Sequence, residues 1–170
     1  MNLNVFESPR LHLCGGSCPY VWKALRMDDQ RVRQYIFERL IAGEQVPRVA
    51  GIAAALRTKT FDVVASLRRM HEAHILVVDA ASEIIMANPF SAVPTAFAVQ
   101  SGAKSWFGNC IWDALGILAM LGADGRVHTT CADCSEPMIL EIQNARLLPQ
   151  RALVHFALPV KQWWKNIVFT

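Results

Sequence analysis

A chain of 170 residues that is 53% hydrophobic and 18% charged can bury a substantial core, in one domain or two small ones, and is too apolar for intrinsic disorder. A net charge of +3 is too slight to announce a nucleic-acid or membrane partner. No apolar run approaches the ~20 residues of a membrane helix, and residues 1–10 lack the basic-then-apolar order of a secretory signal, so the expected location is the cytoplasm.

Five cysteines, an odd number in a chain read as cytoplasmic, argue for thiol or metal chemistry over a disulfide frame. Residues 1–27 read as a flexible leader. They hold Cys14 and Cys18 in Leu-Cys-Gly-Gly-Ser-Cys-Pro, where His12 is the nearest further ligand and the two-residue spacing of a metal knuckle is absent.

From Asp28 the periodicity sharpens. Val32, Tyr35, Ile36, Arg39 and Leu40 recur at helical spacing over residues 28–42, which start with acids and stop at Gly43. Val46-Pro47 opens a second helix with Val49, Ile52, Ala53 and Leu56 on one face. Thr60 caps a third, whose Phe61, Val64, Leu67, Met70 and His71 are expected to face inward. Residues 75–79 and 84–87 have strand composition and a short link between them. Three helices and a hairpin over residues 28–88 predict a winged helix-turn-helix.

That fold invites a DNA-binding reading, but the third helix offsets Arg68 and Arg69 with Asp62 and Glu72. Its N-terminal end carries Phe61, Val63, Val64 and Ala65 where base-contacting polar groups are needed. Specific nucleic-acid binding is therefore not expected.

Residues 88–94, with two prolines, read as a linker. The second domain, residues 95–170, is expected to be mixed and mainly antiparallel β, with strands over 95–99, 127–130, 138–142 and 153–158, a turn at 122–125 and one central helix. The whole is an α+β chain.

The central stretch is Ser-Trp-Phe-Gly-Asn-Cys-Ile-Trp-Asp-Ala-Leu-Gly, residues 105–116. Asn109 is a natural N-cap, which puts Cys110 in the first turn, where the helix dipole favours a thiolate. Asp113, three residues on, shares that face. The bland alternative is a buried structural cysteine beside an acid that merely complements the dipole. Trp106, Phe107 and Trp112 fit either a hydrocarbon pocket or ordinary core. Cys131-Ala-Asp-Cys134 falls in a turn between strands, a shape that grips soft metals, although only His128 and His155 stand near enough in composition to extend it.

The order of these pieces resembles the alkylmercury lyases, also called organomercurial lyases. The resemblance rests on Met-Ala-Asn-Pro-Phe-Ser-Ala-Val-Pro-Thr, Trp-Phe-Gly-Asn-Cys-Ile-Trp-Asp-Ala-Leu-Gly-Ile, Cys131-Ala-Asp-Cys134-Ser-Glu-Pro, and Val-His-Phe-Ala-Leu-Pro-Val followed by Trp163-Trp164 and Ile167-Val168-Phe169-Thr170. It covers roughly residues 28–170. It implies that Cys110 is the family's first catalytic cysteine, Asp113 its proton-handling aspartate and Cys131 a further, structural family cysteine. It also implies a second catalytic cysteine just past Thr170, so the catalytic domain is expected to be incomplete at its C-terminus.

The implied reaction is protonolysis of a carbon–mercury bond in an organomercurial, giving a hydrocarbon and Hg²⁺. No cofactor is needed, the Hg²⁺ stays on thiolates, with Cys110, Cys131 and Cys134 as candidate metal ligands, and a thiol acceptor takes it on. Two other readings stand beside this one: a non-catalytic soft-metal-binding relative, and a thiol-based metal-responsive winged-helix regulator.

Overall fold

The computed structural model describes residues 26–149, 152–156 and 158–168. Cys14 and Cys18 lie outside them. Helix α1 (Met27–Ile41) buries Val32, Ile36 and Leu40, one residue per turn on a single stripe. Helix α2 (Val49–Leu56) buries Val49, Ile52 and Ala53 and stops at Arg57, whose left-handed backbone (φ 52°) ends the helix.

Helix α3 (Thr60–Glu72) buries Val63, Ser66, Leu67 and Met70. Phe61, expected to face inward, is 78% exposed. The buried stripe is centred on Val63, Leu67 and Met70, because Ser66 turns inward to donate to Asp29 Oδ1 at 2.6 Å. His71 is half-buried, and its Nδ1 accepts the Val78 N–H at 3.4 Å.

Asp29 is the buried charge of this bundle. Its first-turn position reads as a dipole complement, yet its carboxylate is only 1% exposed and is held by Arg69, with Nε at 3.0 Å from Oδ2. Burial raises its pKa, but the bonds from Arg69 and Ser66 and the charge of Arg69 outweigh that. The net result lies below the ordinary carboxylate value.

A three-stranded antiparallel sheet follows, in the order β1 (Val77–Val78), β2 (Ile84–Ala87), β3 (Phe90–Ser91). The third strand comes from the stretch expected as linker. It turns back on β2 through the cis Asn88–Pro89 bond, pairing Met86 with Ser91 and Ala87 with Phe90.

The second sheet has five antiparallel strands in the order β5-β4-β6-β7-β8: β4 (Ala98–Ser101), β5 (Lys104–Phe107), β6 (Gly125–Thr130), β7 (Pro137–Gln143) and β8 (Arg146–Leu147). Helix α4 (Ile111–Leu121) packs on β4 and β6 through Ala114, Ile117 and Leu118. It ends at Gly122, whose φ of 58° is the left-handed turn that glycine adopts without steric cost.

Residues 153–158, expected as a strand, join no sheet in their described part, residues 153–156 and 158. The strand signal came from apolar composition alone, and Leu153 is 98% exposed. A short 3₁₀ helix (Val160–Lys165) follows.

One continuous apolar cluster, from Val32 to Ile142, joins the helices to both sheets. Strand β5 is tied to the end of α1: Trp106 Nε1 donates to the Leu40 carbonyl at 2.6 Å, and Lys104 Nζ donates to the Ile41 carbonyl at 3.0 Å. The Ile41 carbonyl, which the helix C-terminus leaves open, is thereby satisfied, and the Leu40 carbonyl, which already accepts the Gly43 N–H at 2.9 Å, takes a second bond. The chain is an α+β protein with N-terminal helices followed by antiparallel sheets.

Candidate active site

The start of α4 is set by how closely the chain approaches it. Gly108 bridges to Phe90, donates its N–H to Phe97 O at 3.0 Å and receives the Thr95 hydroxyl on its carbonyl at 2.7 Å. A Cβ on Gly108 would sit 2.6 Å from Ala114 N and 2.7 Å from its Cα. No side chain fits there, so the glycine lets the first turn of α4 lie directly on the segment that precedes it.

The cap of α4 is Cys110, not Asn109. Cys110 has extended backbone (φ −144°, ψ −179°), and its Sγ accepts the Asp113 N–H at 3.5 Å. Asn109 cannot cap because its side-chain amide is engaged backwards, donating to Asn88 Oδ1 at 3.1 Å and Pro89 O at 3.3 Å. A sulfur therefore occupies the place where an oxygen usually satisfies the first-turn amides.

Cys110 and Asp113 are both half-buried and in mutual contact, the thiol donating toward the carboxylate. Burial pushes the Cys110 thiol above its ordinary value, and the neighbouring carboxylate adds to this. The N–H groups of Asp113 and Trp112 pull the other way without prevailing. The expectation that the helix dipole would favour a thiolate is thus reversed: desolvation wins. Burial likewise raises the Asp113 pKa, while the Asn109 amide and the Cys110 thiol moderate the rise. The pair is a thiol beside a carboxylate whose affinity for a proton burial has increased.

The aromatic surroundings differ from the sequence reading. Trp106 is core, 6% exposed and spent on Leu40. Trp112 is 62% exposed and meets Phe156 edge-on at 6.3 Å, and Phe156 in turn lies 5.4 Å from Trp163. Phe156 and Trp163, on the segment after the second sheet, are the aromatic neighbours that sequence reasoning missed. No local pattern connects them to α4.

Cys131 and Cys134 sit on the β6–β7 turn, half-buried and exposed respectively, with free thiols. The Cys131 thiol is drawn below its ordinary value by the N–H groups of Cys134 and Asp133 and by the Cys134 thiol. Among the described residues, no three of His, Cys, Asp and Glu gather as a metal-holding group. Cys110 therefore does not join the turn pair in one cluster, and neither His128 nor His155 completes it.

Among the described residues, no helix is long and apolar enough to cross a membrane. The alkylmercury lyase (MerB) family model matches residues 90–170. No curated protein matches. Among solved structures, the mercury-bound form of MerB2 matches with a TM-score of 0.59 at 22% identity, covering 74% of this chain and 61% of that one. The likeness is one of fold, and the chain spans 61% of the length of that relative. The stretch that matches the alkylmercury lyase family model, residues 90–170, holds both the Gly108–Asp113 turn and the Cys131–Cys134 turn.

Proposed function

We propose that this chain binds organomercurials through Cys110 and cleaves the carbon–mercury bond by protonolysis, with Asp113 as the acid. The observation that carries this is the contact between the Cys110 thiol and the Asp113 carboxyl, both held toward their protonated forms by burial. Mercury is soft and exchanges onto sulfur. When the S–Hg bond forms, the thiol proton passes to Asp113 and stays there, because the site penalises the carboxylate.

The acid then delivers that proton to the carbon. The C–Hg electron pair becomes the C–H bond, the hydrocarbon leaves, and Hg²⁺ remains on sulfur. A second thiolate on the metal weakens the C–Hg bond, and a small thiol in solution serves for it. The same thiols act as acceptors of the product. Trp112 and Phe156 offer apolar contact for the organic group.

We read α1–α3 with β1 and β2 as a winged helix that packs against the second sheet and does not read DNA. Two features support this. Arg69 is committed to Asp29 and Arg68 to Ser82 (3.4 Å), while an exposed Phe61 stands at the start of α3. Cytoplasmic mercury detoxification is the setting that fits this chemistry.

The test is methane release from methylmercury with excess cysteine present, with the adduct located by peptide mass. Cys110→Ala should lower turnover by ~100-fold or more and lose the adduct on that peptide. Asp113→Ala should keep the adduct and lose methane by a similar factor, within the range of general acid catalysis. Unchanged turnover in Cys110→Ala overturns the assignment.

A further inference from the structure

The β6–β7 turn holds two thiols that the chemistry at Cys110 does not use. Its ends are pinned by the Thr130–Pro137 pair of the ladder. Inside that frame the Cys131 N–H donates to Glu136 O and the Ser135 N–H donates to Cys131 O, both at 2.9 Å. Ser135 takes a left-handed backbone (φ 60°), which reverses the chain within four residues. The reversal brings the N–H groups of Asp133 and Cys134 onto the Cys131 sulfur, and the Cys134 thiol faces the same atom. The two sulfurs thus share one side of a turn that the backbone closes without their help.

Two facing sulfurs with amide donors behind one of them are a ligand set for a soft cation. The amides stabilise sulfur-borne negative charge and offer nothing to a hard, oxygen-seeking ion. Zinc in a structural site wants four ligands, and no third His, Cys, Asp or Glu comes within a metal-holding group among the described residues. An ion content with two thiolates fits; Cys134 is exposed, so the site is open to exchange. We propose that Cys131 and Cys134 form a second metal site, a two-thiolate clamp for a soft, two-coordinate cation, with Hg²⁺ as the ion it fits. Binding forms two S–Hg bonds and releases one proton from each thiol to solvent. No oxidant or reductant takes part, and the site operates whether or not Cys110 cleaves anything.

The experiment uses the full chain carrying Cys14→Ser, Cys18→Ser and Cys110→Ser, so that Cys131 and Cys134 are the only thiols. One equivalent of Hg²⁺ is added against millimolar glutathione, and retained metal is counted by native mass spectrometry alongside the thiolate–mercury ultraviolet absorption. One Hg²⁺ per monomer should be retained. Adding Cys131→Ser or Cys134→Ser should reduce retention by ~100-fold or more, because a lone thiolate has no chelate advantage over the competitor. Zn²⁺ should not be retained under the same competition.

Loss of Hg²⁺ to glutathione with both thiols present, equal retention by either single-thiol variant, or one ion shared between two chains overturns the proposal. Zn²⁺ held as firmly overturns the two-coordinate assignment. The unsubstituted chain gives a check that is independent of how the variants fold: one equivalent of Hg²⁺ per reactive pair should block alkylation of both Cys131 and Cys134. Alkylation of both at the metal-free rate in the saturated protein would refute the clamp.

Discussion

Two thiols of this chain sit at the start of a turn and receive backbone N–H bonds, yet they are displaced in opposite directions. Cys110 accepts from Asp113 at the head of α4, and Cys131 from Asp133 and Cys134 on an open turn. The first is pushed up and the second drawn down. The difference lies in the surroundings. Cys110 is half-buried with a carboxylate against it, so desolvation and like charge outweigh its amide donors. Around the Cys131 sulfur burial and the Asp133 charge oppose the donors only weakly, so the donors prevail. A helix start is therefore no guarantee of a reactive thiolate. Burial decides whether the donors prevail.

The contrast depends first on the seat of Cys110. Gly108→Ala places a methyl group 2.6–2.7 Å from the Ala114 backbone, so α4 must shift or the segment must refold. Activity toward methylmercury should fall at least ~100-fold, as misplacement by about 1 Å can do, and stability should drop by about 1–3 kcal/mol. Mercury capture at Cys131 and Cys134 should persist. Equal loss at both sites would show that they are not separate.

A smaller effect compares the thiols directly. With iodoacetamide at pH 7, Cys131 should alkylate ~10-fold or more faster than Cys110, since only the thiolate reacts. The Cys110 rate should climb in the more alkaline range, and Asp113→Asn should quicken it by removing the adjacent charge. A Cys110 that reacts as fast as Cys131 would break the comparison.

The smallest effect sharpens it through two acids shifted in opposite directions. Asp29 is lowered on folding, so it contributes stability above its unfolded value near 3.8, and this is lost as pH falls through the native value. Asp29→Asn should cost about 1.5 kcal/mol at pH 7, the loss of charged bonds to a part-exposed Arg69, and less in acid. Asp113 is raised, so ionisation of the unfolded chain draws stability away as pH climbs above 3.8. Asp113→Asn should melt higher than the parent at pH 7, with the gap closing below pH 3.8. Melting curves from pH 3 to 8 read both signs, and a destabilised Asp113→Asn at neutral pH would contradict the burial account.

What was legible in the sequence followed local periodicity. The stripe of Val32, Ile36 and Leu40 was readable because one face is buried at helical spacing, and strand β2 at Ile84–Ala87 by its short apolar run. Cys110 and Asp113 were readable as a pair because three residues bring them together on any helix. The illegible parts depend on partners distant in sequence. Strand β5, Lys-Ser-Trp-Phe, has no alternation and becomes a strand by pairing with β4. Asn109 looked like the cap because its engagement with Asn88 and Pro89 cannot be seen locally. The Asp29–Arg69 contact spans 40 residues, and Phe156 reaches Trp112 across 44. Residues 153–158 failed the opposite way, apolar enough for a strand but without a sheet edge to join.

The bond from the Trp106 indole to the Leu40 carbonyl closes a loop of 66 residues. The last turn of α1 is finished by an atom the ribosome delivers much later, and until then the Leu40 carbonyl holds only the Gly43 N–H. The N-terminal helices thus gain their full strength only once β5 is in place, which sets an order of assembly. Anything that loosens β5, one residue before the glycine under α4, will register as faster amide exchange at the end of α1. The far end of the first helix is a place from which the integrity of the Cys110 turn can be read.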